Sequence, residues 1–430
     1  MEGDRIVNKT DSEYQMYLRI LRKELQPAFG CTEPAALAYA SALAADLLGT
    51  LPERMTVCCS GNIIKNVKSV IVPNAGGGKG LELAAAAGAV AGHPERKLEL
   101  LAALTDEDRI RLQNYLKTAE IHVTLSDSPD PFDIQITACA GSDCASVRLT
   151  GGHTNVVRME KNGEVLLNHT GKKGEEGSES MHARMRAEAI LDFADSVDLP
   201  DVAELLERQI ACNMAIARKG ISGNYGANIG AVLLRTDTSL RTQMKAMAAA
   251  GSDARMNGCE LPVIINSGSG NQGITVTVPL VVYAEEKRLP RERLFRALVL
   301  SNLLAIYQRS GIGCLSAYCG AVNAGIAAAC GVAYLDGGDF EDIAHTLVNG
   351  LAIVSGIICD GAKASCASKI AVAIDAGLLG YEMYQNGQQF YRGDGIVKGG
   401  VDQTIDAVVR LGREGMRETD REILHIMIDG

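Results

Sequence analysis

The residues most able to do chemistry are cysteines. There are 12 in a chain of 430 residues, and the densest group lies between Gly311 and Lys369 in two glycine-containing stretches. The first reads Gly311-Ile-Gly-Cys314-Leu-Ser-Ala-Tyr-Cys319-Gly-Ala-Val-Asn-Ala-Gly325 and the second Cys359-Asp-Gly-Ala-Lys-Ala-Ser-Cys366. Thiolates from Cys319, Cys359 and Cys366 are the usual protein ligands of an iron–sulfur cluster, and three of them would leave one iron of a four-iron cluster open. On an unbroken helix, Cys359 and Cys366 would share a face but stand about 10 Å apart along the axis. The Asp360-Gly361 pair supplies a turn that shortens this reach. Cys314 competes with Cys319 for the first position. Neither spacing is a ferredoxin or zinc-ribbon pattern, so spacing alone leaves open three core cysteines in an alanine-rich bundle.

A second reactive position is Cys31, directly ahead of Thr32-Glu33-Pro34, which read as a cap, an N-terminal charge and an early helical proline. A thiol at a helix N-terminus has its thiolate favoured by the helix dipole, which lowers its pKa toward neutrality and suits it to act as a base. An ordinary capping-loop cysteine is the alternative. Backbone N–H groups of Ser267-Gly268-Ser269-Gly270-Asn271 are candidates for an anion-binding nest that holds a substrate. His153, in the turn Gly151-Gly-His-Thr-Asn155, is a candidate proton relay or carboxylate ligand. Gly76-Gly-Gly-Lys-Gly80 offers another glycine loop and Ser60–Lys65 a polar strand end, but G-x-x-x-x-G-K-[ST] is absent. Lys363 invites comparison with a pyridoxal-phosphate lysine; the cysteines around it argue for cluster chemistry instead. Cys58, Cys59, Cys139, Cys144, Cys212, Cys259 and Cys330 are assigned to packing. Cys139 and Cys144 are close enough in sequence to pair across a turn, but a reducing compartment argues against a disulfide.

These residues need elements to position them. Helices are expected over 11–22, 35–48 and 81–91, with β-branched text from Met55 to Val72. Between Ala119 and Leu167, five strand-like runs at 121–125, 133–138, 145–149, 155–159 and 164–167, separated by Gly, Pro and Asp turns, read as an antiparallel meander. Gly171–Glu179 reads as an exposed linker. Beyond it the chain is largely helical, with apolar stretches at 294–306, 321–332 and 344–358, interrupted where extended residues from Leu261 meet the glycine-rich turn. The expected fold class is α+β: residues 1–178 form an α+β part with the meander, and residues 179–430 a mainly α-helical catalytic part.

Composition bounds the function. With 47% apolar and 22% charged residues, the chain is globular. The 46 Gly, 0 Trp and 6 Phe make a small-residue core that lets backbones approach closely. A net charge of -10 argues against nucleic acid as a partner. The Met1–Arg5 start lacks signal-peptide character and no apolar run reaches the roughly 18 residues of a membrane span. A cytoplasmic location is therefore expected, without a membrane partner, and the alanine-rich helical surface is compatible with a homodimer.

Taken together, Gly30-Cys-Thr-Glu-Pro34, Ser267-Gly-Ser-Gly-Asn-Gln-Gly273, Tyr318-Cys-Gly-Ala-Val-Asn-Ala-Gly325 and Cys359–Cys366 resemble the L-cysteine desulfidase branch of the iron–sulfur-dependent serine dehydratase α-chain superfamily. The resemblance covers most of the chain. It implies a [4Fe–4S] cluster held by Cys319, Cys359 and Cys366, with Cys314 as the rival first ligand. It also implies an oxygen-sensitive lyase that deaminates a small β-substituted L-amino acid to pyruvate, with Cys31 as the base. The glycine and alanine pattern that follows Cys319 as far as Gly331 matches the family's first ligand. Compared with the classical serine dehydratases, the last two ligands are more closely spaced and no cysteine follows Cys366. Those departures favour L-cysteine over L-serine. The competing class is a non-catalytic iron–sulfur or redox-responsive protein.

Overall fold

The alternating residues between Arg54 and Asn168 build one six-stranded sheet, seen in a computed structural model that describes residues 9–169, 181–313 and 315–428. The strands are β1 (Pro27–Phe29), β2 (Arg54–Cys59), β3 (Glu120–Leu125), β4 (Asp133–Ala140), β5 (Asp143–Thr150), β6 (Val156–Lys161), β7 (Glu164–Asn168) and β8 (Pro262–Ile264). The large sheet runs β3-β2-β4-β5-β6-β7. The expected antiparallel meander is present from β4 to β7 only; its expected first strand, β3, pairs instead in parallel with β2, which inserts between β3 and β4 and runs antiparallel to β4. One face of β4 and β5 presents the buried residues Ile134, Ile136, Ala138, Ala145, Val147 and Leu149, following the two-residue period of a half-covered sheet. The helix Thr32–Leu48 packs on β4 and β5.

That helix is apolar all round, as a helix covered on several sides must be. Its other neighbour is the helix Leu81–Ala91, where a Cβ added to Gly88 would stand 2.1 Å from the Ala38 carbonyl oxygen. The two backbones touch because the sequence puts no side chain between them. High glycine and alanine content is thereby converted into close helix contact.

The second half is helical. Its centre is the helix Gly320–Leu335, buried along nearly its whole length and packed against helices Gly270–Lys287, Arg291–Ser310, Phe340–Val354 and Cys366–Gln385. The first helix, Ser12–Glu24, joins this core rather than the sheet: Tyr14 and Tyr17 pack on Phe193, and β1 pairs antiparallel with β8. The molecule is thus α+β, with a sheet-bearing N-terminal part and a helical C-terminal part. The expected linker at 171–179 and the boundary at 178 lie outside the described residues, as does Cys314.

Two further expectations are corrected. Residues 61–67 form a short helix, not a strand end; Ser60, extended at φ -61° and ψ 154°, is its N-cap, and its carbonyl accepts the Ile64 N–H at 3.1 Å. Cys139 and Cys144 are disulfide-bonded, not reduced packing residues. The β4–β5 register sets them directly opposite each other, with Cα atoms 4.2 Å apart, within bridging distance. Among the described residues no helix is long and apolar enough to cross a membrane.

Candidate active site

Four helix beginnings converge on one cavity of about 100 Å³. Cys31 is the N-cap of helix Thr32–Leu48, Ser269 that of Gly270–Lys287 and Cys319 that of Gly320–Leu335, while Cys366 opens Cys366–Gln385. All four line the cavity, as do Cys359, Glu33, Asn66, Arg255 and Gln272. Each helix start carries backbone N–H groups without intrahelical partners and the positive end of a dipole. Their convergence favours negative charge in the cavity: thiolate, carboxylate or a bound anion.

The segments bearing Cys319 and Cys359 are tied to each other. Cys319 N donates to Ile357 O at 3.1 Å, and Cys359 N donates to Ala317 O at 2.6 Å, flanking a bridge between Tyr318 and Ile358. The turn at Asp360-Gly361 precedes a helix that begins only at Cys366, so Cys359 and Cys366 are not separated by a helical rise. Cys366 Sγ donates to Gly361 O at 3.7 Å. Gly361 has φ +94°, and a Cβ there would stand 2.4 Å from Lys65 O; no other residue fits both demands. The Cys359 thiol is held below the ordinary range by its hydrogen bond with Cys319 first, and, against its burial, by Lys65 and the Gly361 N–H.

Lys65 is legible in the sequence only as the last residue of the polar segment Ser60–Lys65. Only 2% exposed, it pairs with Asp420 and donates to Cys359 O at 3.2 Å, tying the C-terminal helix Arg417–Ile428 to the cysteine loop. Lys65→Met strands a mostly buried carboxylate, and we expect a loss of about 3 kcal/mol in urea unfolding, largely recovered in Lys65→Met/Asp420→Leu. A midpoint equal to wild type in the single variant would contradict this role. Lys363 lies outside the cavity, engaged with Asp360 at 2.5 Å.

Cys31 departs from expectation in its proton. Burial, then the neighbouring charge of Glu33, push its thiol well above the ordinary range, overriding the dipole at this N-terminus. Its Sγ donates to Glu33 Oε2 at 3.0 Å, and Thr32 Oγ1 donates to the same oxygen at 3.1 Å. Asn66 Nδ2 reaches Glu33 Oε1 at 3.4 Å, and His153 Nε2 stands 3.9 Å from it. Burial works against the charge on Glu33, yet His153, the Cys31 thiol and Arg255 together hold its carboxyl below the usual range. Glu33 was legible only as an N-terminal helix charge, and Arg255 carries no local signal at all. Alkylation of Cys31 by iodoacetamide should therefore be slow at pH 8 and accelerate in Glu33→Gln, measured by peptide mass mapping. An unchanged rate in that variant would remove Glu33 as the cause.

The glycine-rich loop divides between two spaces. Gly268, Ser269 and Asn271 line the inner cavity, with Arg255 Nη1 donating to Asn271 Oδ1 at 3.2 Å. Ser267 faces an outer cleft of about 1020 Å³ together with His153. Gly270 lines neither and lies against Arg255. Gly268 and Arg309 border both spaces. Behind the loop, Asn266 Nδ2 donates to Asn302 Oδ1 at 2.9 Å, and Asn302 and Gln209 exchange hydrogen bonds of 2.9 Å. Such a satisfied buried network holds a loop in one conformation. The Gly76–Gly80 loop lines neither space.

A model of the serine dehydratase alpha chain matches residues 95–425, a span that includes Cys319, Cys359 and Cys366 and leaves Cys31 outside. The UPF0597 protein of Desulfitobacterium hafniense is 51% identical over 98% of this chain and 99% of its own length. That of Lachnoclostridium phytofermentans is 46% identical over 97% of this chain and 100% of its own, and that of Treponema denticola 43% over 97% and 98%. The chain belongs to the serine dehydratase alpha chain family.

Proposed function

We propose that this protein is an iron–sulfur-dependent lyase that converts L-cysteine to pyruvate, ammonia and sulfide by α,β-elimination. The observation that carries the reading is the meeting of Cys319, Cys359 and Cys366 with Cys31 around one cavity rimmed by helix N-termini. Three cysteine thiols around one cavity are a donor set of the kind that holds an iron–sulfur cluster, in which each thiolate binds a separate iron. When bound, a cluster with one iron free of protein thiolate supplies Lewis-acid chemistry to the substrate's carboxylate and leaving group.

The chain's own residues supply the rest. Arg255 and the free N–H groups at the starts of the helices Gly270–Lys287 and Gly320–Leu335 give the carboxylate its electrostatic cradle. Cys31 takes the α-proton as its thiolate, made strongly basic by burial and by the Glu33 charge beside it; its own proton leaves by way of His153, at the border of the outer cleft, while Glu33 stays ionised between the two. Breaking the Cα–H and Cβ–S bonds leaves aminoacrylate, whose imine tautomer hydrolyses to pyruvate and ammonia. The family's own description favours a second reading, L-serine dehydratase, with water leaving instead of sulfide. Anaerobic assays of both amino acids side by side decide between them: cysteine should give sulfide and pyruvate at the higher kcat/KM. Pyruvate from serine alone transfers the assignment to the second reading, and no pyruvate from either substrate sinks both.

A further inference from the structure

A second cleft, of about 800 Å³, opens on the other side of the cysteine loops, between the β3–β4 turn, the start of helix Gly61–Val67 and the C-terminal helix Arg417–Ile428. Its wall is shared with the inner cavity: Leu315 and Ser316 border both spaces. Ser316 Oγ donates to Gly412 O at 3.0 Å and accepts from Tyr318 N at 3.1 Å, so the segment leading into Cys319 separates the two.

The charges in this cleft are lopsided. Arg413, Arg417 and Arg421, each four residues from the next along the chain, all line it. Lys65 adds a cation at the floor, and the lining carboxylates are Asp130 and Asp420. Lys65 and Asp420 neutralise each other. Arg413 and Arg410 share the single carboxylate of Glu414, at 3.0 Å and 3.4 Å, and Arg421 pairs with Glu418 at 2.7 Å on the exposed side. Arg417 makes no ion pair among the described residues. A concentration of guanidinium in a concave site, on a chain of net charge -10, is the recognition chemistry of oxyanions, which guanidinium binds by paired N–H donors.

We propose that this cleft is a binding site for a small oxyanion-bearing metabolite, a phosphate or polycarboxylate, held by Arg413, Arg417 and Arg421. The volume is that of a small-molecule pocket. The ligand touches the reverse side of the Cys319 segment and lies beside Lys65, whose Nζ donates to Cys359 O, so it sits one layer of chain from the thiol cavity. Nothing in the site depends on the lyase reading, and binding is measured without turnover.

The test is calorimetric titration of the intact, anaerobically purified protein with inorganic phosphate and, separately, with tricarballylate, at low ionic strength and at about 0.15 M salt. Saturable binding of at least one anion is expected; which of the two binds more tightly identifies the headgroup. Arg417→Gln and Arg413→Gln should each weaken it by about tenfold. Asp130→Asn should tighten it, because it removes a lining negative charge and keeps an oxygen to accept the Phe132 N–H, now bound at 3.0 Å. Unfolding curves identify any variant that fails to fold, and the gain expected of Asp130→Asn does not depend on the arginine variants. Absence of saturable binding by both anions, or equal affinity in wild type and all folded variants, overturns the proposal.

Discussion

Cys359→Ala is expected to leave the anaerobically purified protein with little bound iron and no measurable lyase turnover, while wild type carries about four iron and four sulfide per chain. The substitution removes a sulfur and no structural anchor. The Cys359 N–H still reaches Ala317 O, and its carbonyl still accepts from Lys65, because both bonds belong to the backbone. Of the three thiols it is also the one whose surroundings favour the negative charge a ligand needs, through the Cys319 hydrogen bond, Lys65 and the Gly361 N–H. Iron and acid-labile sulfide analysis, with unfolding curves to show an unchanged fold, gives the answer. Full iron content in Cys359→Ala would reject the ligand assignment. Cys319→Ala and Cys366→Ala are expected to behave alike.

Cys31→Ala should separate binding from chemistry. Iron content is expected to stay at the wild-type level, and kcat for L-cysteine should fall roughly a hundred- to ten-thousand-fold, the range associated with losing a general base. Cys31 packs against Cys366 and Met256 and hydrogen-bonds to Glu33, so it faces the reacting space. Glu33→Gln and His153→Gln act one and two steps further from the substrate. They should lower kcat less and shift the pH profile, because each interrupts the path by which the thiol's proton leaves. Near-normal turnover by Cys31→Ala would place the base elsewhere, Glu33 being the next group in reach of the cavity.

How far these roles were legible in advance depended on the range of the signal that carried them. The helix at Leu81–Ala91 follows from an unbroken alanine-rich run, and strands β4 to β7 follow from alternation punctuated by Gly, Pro and Asp. Cys31 before Thr32-Glu33-Pro34 was readable as a helix start for the same reason, a cap being a matter of three or four neighbouring residues. The helix at Gly61–Val67 was misread because seven residues contain too few turns to show a period. The Cys139–Cys144 bridge was misjudged because a compartment argument outweighed the register, which the strand pattern already contained.

The reactive groups and their local settings are readable along the chain: cysteines at helix starts, a glycine loop ahead of a helix, a histidine in a turn. Packing in three dimensions was needed to bring four helix starts from distant stretches of chain to one cavity, to seat the first helix in the helical core, and to carry Lys65 to the Cys359 carbonyl. It also set the acidity of the Cys31 thiol. The sequence reading expected a thiolate at Cys31 because a helix dipole acts within one turn and is visible in the sequence. Burial and the Glu33 charge prevail there, because the cost of removing a thiolate from water is set by every element that closes over it.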